Sequence, residues 1–215
     1  INQSYYTSIL DKKGKMILGL ANMDDYEKII NYNLFKNFNN KNIILDLNLS
    51  SNLIKKIINL NSKENYICVC GTSAHKVYKI KNLLKKIDTI ILNKQESLNL
   101  TNKKTIQDSM SYIIRKNKKL NIIITNGKNA VNAYIENKYY LTYPPHTILQ
   151  NENGAGDALS AIFNYFYCNS FDKLYSLNSG ICGGSLQASG YKKNLQKYLQ
   201  KINKLSKSIK FKVIN

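Results

Sequence analysis

Between residues 43 and 125 four short apolar runs recur, each followed by a stretch with helical character: Ile43–Asn48 (IILDLN), Tyr66–Gly71 (YICVCG), Thr89–Leu92 (TIIL) and Asn121–Thr125 (NIIIT). Short apolar strands alternating with helices predict right-handed βαβ units and a mostly parallel sheet. Ser50 reads as the cap of a helix running to about Leu60. Further helices are expected over Ser73–Lys86, around Gln95–Leu100 and over Thr105–Lys118. Ahead of this unit, Ser4–Leu10 and Lys15–Leu20 read as a β-hairpin whose turn, Asp11-Lys-Lys-Gly14, supplies a glycine for a positive φ. Beyond it, Val131–Glu136 and Tyr139–Tyr143 predict an antiparallel edge hairpin, broken off by Pro144-Pro145. From Gly154 onward the chain reads as three helices, punctuated at Ser170-Phe-Asp172 and Gly190. The expectation is an α/β fold in two parts: a hairpin segment, 1–22, and a core, 23–215.

Composition narrows the function classes. The 215 residues are 43% apolar, enough for one domain with a sizeable core and too many for disorder. No apolar run approaches the roughly 18 residues that would span a bilayer. The net charge of +19 suggests a nucleic-acid binder. Yet Arg115 is the only arginine among 32 basic residues, and arginine is the side chain suited to phosphate forks and guanine edges. Abundant Lys, Asn and Ile match AT-rich codon usage, so no nucleic-acid or membrane partner is expected. Cys68, Cys70, Cys168 and Cys182 form no CxxC pair and no zinc spacing. They read as reduced thiols of a cytoplasmic protein, although a chain opening on Ile1 does not display its targeting signals.

The sharpest motif is Asn151-Glu-Asn-Gly-Ala-Gly-Asp-Ala158, where a loop becomes an apolar helix. Gly154 and Gly156 let the backbone turn tightly and approach a ligand closely. The free amides of the first helical turn, with Ala155 between the glycines, form an anion site. Asp157 lies inside that turn. Phosphoryl transfer needs both parts: amides that absorb charge and a base for the attacking hydroxyl. A dinucleotide fingerprint would need a third glycine where Leu159 stands, and a Walker A loop would need GK[ST] where Gly127-Lys-Asn129 stands. An ordinary glycine-rich helix start remains the alternative.

GAGDALSA resembles the C-terminal signature of PfkB-type (ribokinase-like) carbohydrate kinases, D-T-x-G-A-G-D-A/S-F, with Asn151-Glu-Asn153 replacing the acidic lead and Leu159 the Phe. Asn93-Lys-Gln-Glu96, at the end of the third run, resembles the family's N-x-x-E motif, and Thr125-Asn-Gly127 its T-x-G motif. The resemblance implies a three-layer ribokinase-like core in which the N-terminal hairpin is what remains of a β-lid. It implies ATP and Mg²⁺ as cofactors, Asp157 as catalytic base, and Gly154, Ala155 and Gly156 as the anion hole. It places Thr125 and Gly127 beside the nucleotide, together with Gly180 of the glycine-rich segment Gly180–Ser189. Asn93 and Glu96 would organise Mg²⁺ and phosphate, Glu96 through water; Mg²⁺ takes oxygen ligands and keeps several waters.

Tyr5–Met23, Asp46-Leu-Asn-Leu49 and Gly71-Thr-Ser-Ala-His-Lys-Val77 look like segments of the pseudouridine kinase branch, with Asn22 replacing an Asp. Asp46 then either lines the phosphate pocket or caps a strand end. Lys76 either contacts phosphate or is a surface lysine. The implied activity is phosphorylation of a nucleoside or sugar hydroxyl, with pseudouridine first. A kinase for another sugar or nucleoside, and a truncated non-catalytic fragment, are the alternatives. The family's first third, including the sugar-holding Asp and the GG-x-x-x-N segment, is absent from these residues. Relatives imply two partners besides the small-molecule substrate: a second copy through the lid, and a fused or paired pseudouridine-phosphate glycosidase.

Overall fold

Residues 4–28, 40–61 and 65–214 are described by a computed structural model of the chain. The first elements are β1 (Tyr5–Leu10) and β2 (Met16–Asn22), an antiparallel pair forming its own two-stranded sheet. Asp11 shapes their turn by accepting from the N–H groups of Lys13 (2.8 Å) and Lys15 (2.9 Å), and Gly14 takes a φ of 77°. A four-residue helix, α1 (Asp24–Glu27), follows.

Next come β3 (Asn42–Leu45), α2 (Ser51–Asn61), β4 (Tyr66–Cys70), β5 (Thr89–Asn93), α3 (Lys94–Thr101), α4 (Ile106–Lys116) and β6 (Asn121–Thr125). β7 (Val131–Ile135) and β8 (Lys138–Thr142) precede α5 (Ala155–Cys168), α6 (Lys173–Ala188), α7 (Leu195–Ser206) and β9 (Phe211–Ile214). Strands β3 to β9 lie side by side in sequence order in one sheet. β3 to β6 are mutually parallel, and β6 to β9 alternate in direction.

The period-two alternation of the strands divides the core into two layers of side chains. Ile67, Val69, Ile90, Leu92, Ile122 and Ile124 point to one face, where they meet Leu53 and Ile57 of α2 and Met110 and Ile113 of α4. Cys68, Ile91 and Ile123 point to the other, against Leu159 and Phe163 of α5 and Leu177 and Ile181 of α6. Both faces of β4 to β6 are covered, which is why these strands are continuous apolar runs, while β3, at the edge, leaves Ile44 exposed. This is the expected ribokinase-like fold: helices on both sides of a mostly parallel sheet, with a hairpin in front.

Three expectations about elements need correction. Residues 73–86 do not form an α-helix; they wind as turns and two 3-10 segments, Val77–Ile80 and Leu84–Lys86. Their backbone bonds run i to i+3, as in Lys76 N–H to Ser73 O, Lys79 to Lys76, Leu83 to Ile80 and Lys86 to Leu83. Val77, Ile80, Leu83, Leu84 and Ile87 are buried all the same, a spacing that an α-helix would also place on one face, so the apolar pattern does not distinguish the two windings. The 131–142 hairpin is not at the sheet edge, because β9 pairs with β8 from Tyr139↔Ile214 to Thr142↔Phe211. The tail is therefore three helices and a strand.

Candidate active site

Asn93, Thr125 and Asp46 stand at or just after the carboxyl ends of β5, β6 and β3, the end of an open α/β sheet where ligands bind. The sequence builds this end from short caps. Asn93 Oδ1 accepts from Glu96 N–H (2.9 Å), and Glu96 Oε2 accepts from Asn93 N–H (2.8 Å), a reciprocal capping box that starts α3. Glu96 is 4% exposed. Burial pushes its carboxyl above the ordinary carboxylate range, the Asn93 amide opposes this, and the charge of Asp157 adds to it. Asp157 of GAGD is thus near enough to Glu96 of N-x-x-E for its charge to be felt there. Gly71, just past β4, is where the Glu96 carboxylate lies: a Cβ there would collide with it, Cδ being only 2.6 Å away.

Gly154 caps α5 in the left-handed region (φ 76°), a conformation that costs other residues energy. Gln187 packs over it from α6, its Nε2 donating to Asn153 O at 3.4 Å. A Cβ added at Gly156 would meet nothing within 4 Å, so the space beside the first helical turn is open. Ala155 N–H donates to Glu152 O at 3.2 Å, whereas the Gly156 and Asp157 amides have no carbonyl four residues back to bind within the helix. Asp157 is exposed within that turn. Cys70, at the end of β4, feels the charges of both Asp157 and Asp46, although its contacts with Cys68 and Ser160 hold its thiol below the usual value. Asp46 is exposed, its carboxylate accepting from the backbone and side-chain amides of Asn48, both at 2.9 Å.

The hairpin closes on the same place. Glu152 Oε1 accepts from Met16 N–H at 2.6 Å, Glu152 N–H donates to Gly14 O at 3.2 Å, and Asn153 Nδ2 donates to Ser8 Oγ at 3.3 Å. Gly14 sits against the Gln150 carbonyl with no room for a Cβ.

The remaining predicted residues fall as follows. Thr125 Oγ1 reaches Leu92 O at 3.5 Å, and Gly127 (φ 57°) is exposed with nothing near a Cβ. Gly180 is buried within the α5–α6 contact, where a Cβ would lie 2.9 Å from Leu159 O. Lys76 donates to Asn48 Oδ1 at 3.0 Å and lies 3.7 Å from Glu27. Sequence reasoning passed over Glu152, Gln187, Lys79 and the close approach at Gly71. A lone glycine after a strand was the one visible signal for the last.

Among the described residues no three His, Cys, Asp or Glu side chains group as a metal cage. Hydrated Mg²⁺ does not require one, since it is held by one or two carboxylates plus substrate phosphates. Buried Glu96 and Asp157, whose charge acts on it, would be the carboxylates to hold such an ion. Amides for a phosphate, a carboxylate base and acidic oxygens for a hydrated cation are what a phosphotransferase with an alcohol acceptor requires, and the chain is an enzyme of that class. A family model described as pfkB family carbohydrate kinase matches residues 19–187, and the chain belongs to that family.

Solved structures share the fold at low identity. An inferred sugar kinase from Clostridium perfringens superposes with a TM-score of 0.74 at 16% identity, over 98% of this chain and 69% of that one. A carbohydrate kinase from Agrobacterium tumefaciens gives 0.72 at 18%, over 100% and 72%. A fructokinase from Vibrio cholerae O395, solved with fructose, ADP and a calcium ion, gives 0.71 at 13%, over 94% and 72%. A search of curated protein sequences returns no match. Among the described residues no helix is long and apolar enough to cross a membrane.

Proposed function

We propose that the polypeptide carrying this chain phosphorylates a hydroxyl of a nucleoside or sugar with Mg·ATP, and that pseudouridine, converted to its 5′-phosphate, is its acceptor. The observation that carries the kinase reading is the start of α5: a left-handed Gly154, open space at Gly156, and an exposed Asp157 whose charge reaches Glu96. In this reading the Gly154–Gly156 backbone absorbs charge on the transferring phosphoryl group, and Asp157 takes the acceptor's proton. Asn93 and Glu96 order a hydrated Mg²⁺, whose chemistry is to neutralise phosphate charge. Asp46 borders the same pocket. Thr125, Gly127 and the Gly180 helix lie toward the nucleotide.

The pseudouridine assignment is supported by the resemblance of Tyr5–Met23 and Gly71–Val77 to that branch. A hexose or pentose acceptor is the second candidate, favoured by the fructose-bound neighbour. Exposed Tyr5, Ile9, Ile17, Leu18 and Leu20 on the hairpin suit pairing with a second copy.

The test is ATP consumption by the full polypeptide across pseudouridine, uridine, adenosine, ribose and fructose. A higher kcat/KM for ribose or adenosine than for pseudouridine overturns the acceptor and leaves the kinase. Asp157→Asn preserves shape while removing the base, so kcat should fall by about 10²–10⁴ with little change in ATP affinity. A variant with near-normal kcat would reduce GAGD to a helix start.

A further inference from the structure

Lys79 is a lysine without solvent. Its side chain is 2% exposed, and its ammonium donates to Glu27 Oε1 (2.7 Å), Leu47 O (3.0 Å) and Leu49 O (2.8 Å). Three acceptors use its three protons. Burying an ammonium costs several kcal/mol before pairing, and an apolar chain of similar volume packs as well or better. Packing alone therefore does not account for a lysine here.

Its partners point to the loop after β3. Leu47 and Leu49 flank Asn48, so Lys79 fixes the backbone on both sides of that residue. Lys76 fixes the Asn48 side chain, donating to Oδ1 at 3.0 Å. Asn48 in turn holds both oxygens of Asp46, through its backbone N–H to Oδ1 and its Nδ2 to Oδ2. Thr72 Oγ1 accepts from Leu47 N–H (2.9 Å) and ties the loop to the end of β4. Lys76 and Lys79 are three residues apart in a 3-10 stretch, the spacing that eclipses side chains, and both ammonium groups meet Glu27. Glu27 lies five residues past the end of β2, and its contact with Lys79 holds its carboxyl below the ordinary range.

We propose that Lys76 and Lys79 are positioning residues that aim the Asp46 carboxylate into the active site, acting through Asn48 and the Leu47 and Leu49 carbonyls. Through Glu27 they also fasten the Asp46 loop to the segment following the hairpin. This rests on the reading of the site as a kinase site that uses Asp46.

The experiment compares Asp46→Asn, Asn48→Ala, Lys76→Met and Lys79→Met in the full polypeptide, measuring kcat/KM and Tm for each. Each substitution at Asn48, Lys76 or Lys79 should lower kcat/KM by about 10–100-fold, the usual loss when a supporting partner is removed. Combined with Asp46→Asn, each should add little, because both act on one carboxylate. Combined with Asp157→Asn, the losses should multiply. Glu27→Gln, at a carboxylate 40% exposed, should give a smaller loss of the same kind. The proposal is overturned if the variants lower Tm while kcat/KM stays at the parent value. It is equally overturned if their losses multiply with Asp46→Asn, or if Asp46→Asn has no effect. Should Lys79→Met fail to fold, Lys76→Met and Asn48→Ala at half-buried positions carry the same cycle. A full-rate Asp157→Asn enzyme would refute the base assignment and leave this cycle interpretable.

Discussion

Substituting Gly71 by alanine isolates one steric demand of the site. Gly71 is absent from the positive-φ positions, so alanine can adopt its backbone. The new Cβ, however, would collide with the Glu96 carboxylate, lying 2.6 Å from Cδ and 3.1 Å from Leu92 Cδ2. Leu92 is 1% exposed and cannot retreat cheaply. Glu96 must move instead, which breaks its bond to Asn93 N–H. Losing a hydrogen bond to a charged group costs about 1.5–3 kcal/mol, and overpacking about 1–3 kcal/mol. The two overlap, since moving Glu96 relieves the clash, so about 2–3 kcal/mol is expected overall. For a domain of this size that lowers Tm by about 4–12 °C. Thermal unfolding followed by circular dichroism measures it, and the Mg²⁺ concentration for half-maximal activity should rise as the carboxylate leaves its place. Glu96→Ala on the Gly71→Ala background should cost much less than in the parent, because the space is then free. A Gly71→Ala protein melting within about 1 °C of the parent, or strict additivity with Glu96→Ala, would refute the reasoning.

Two further outcomes are expected. Glu96 has its carboxyl raised above 4.5, chiefly by burial, so the folded state holds its proton more tightly than the unfolded chain. The stability this gives below pH 4.5 is lost as pH rises through the folded value. Glu96→Gln should therefore flatten that part of the stability–pH curve while raising the Mg²⁺ requirement, and an unchanged slope in denaturant titrations would contradict it. Gly14→Ala places a Cβ at φ 77° against the Gln150 carbonyl, a conformation costing about 1–2 kcal/mol before the clash. The hairpin should become more sensitive to limited proteolysis while the core Tm hardly changes, and equal protease resistance would count against the contact.

Much of the fold was legible because period and punctuation agreed. The four runs between Ile43 and Thr125 became β3 to β6, and Ser50 was a visible cap. Asp157 stood out by its type and its place in a glycine-rich helix start, and Glu96 only through the resemblance of Asn93-Lys-Gln-Glu96 to the N-x-x-E motif; the charge of Asp157 acts on Glu96. What escaped had long-range causes. No local pattern shows Lys79 reaching Leu47 across 32 residues, or Glu152 reaching Met16 across 136. The 73–86 segment has helix-forming residues and apolar positions at helical spacing (Val77, Ile80, Leu84), so nothing local marked its 3-10 winding, and tertiary context overrode propensity. The closing strand β9 was hidden because four residues give little periodicity until a neighbour's edge is there to receive them.

The bonds between the hairpin and the Gln150–Asn153 lead have a mechanical consequence. Glu152 is joined to Met16 and Gly14 by two hydrogen bonds and lies two residues before Gly154. Any movement that lifts the hairpin clear of the cleft must release both bonds, and with them the stretch of backbone that sets the start of α5. In the proposed kinase reading, admitting a substrate and assembling the phosphate cradle are then halves of one motion. Backbone amides at Met16 and Glu152 should accordingly share a single opening event in hydrogen exchange, although 136 residues separate them along the chain.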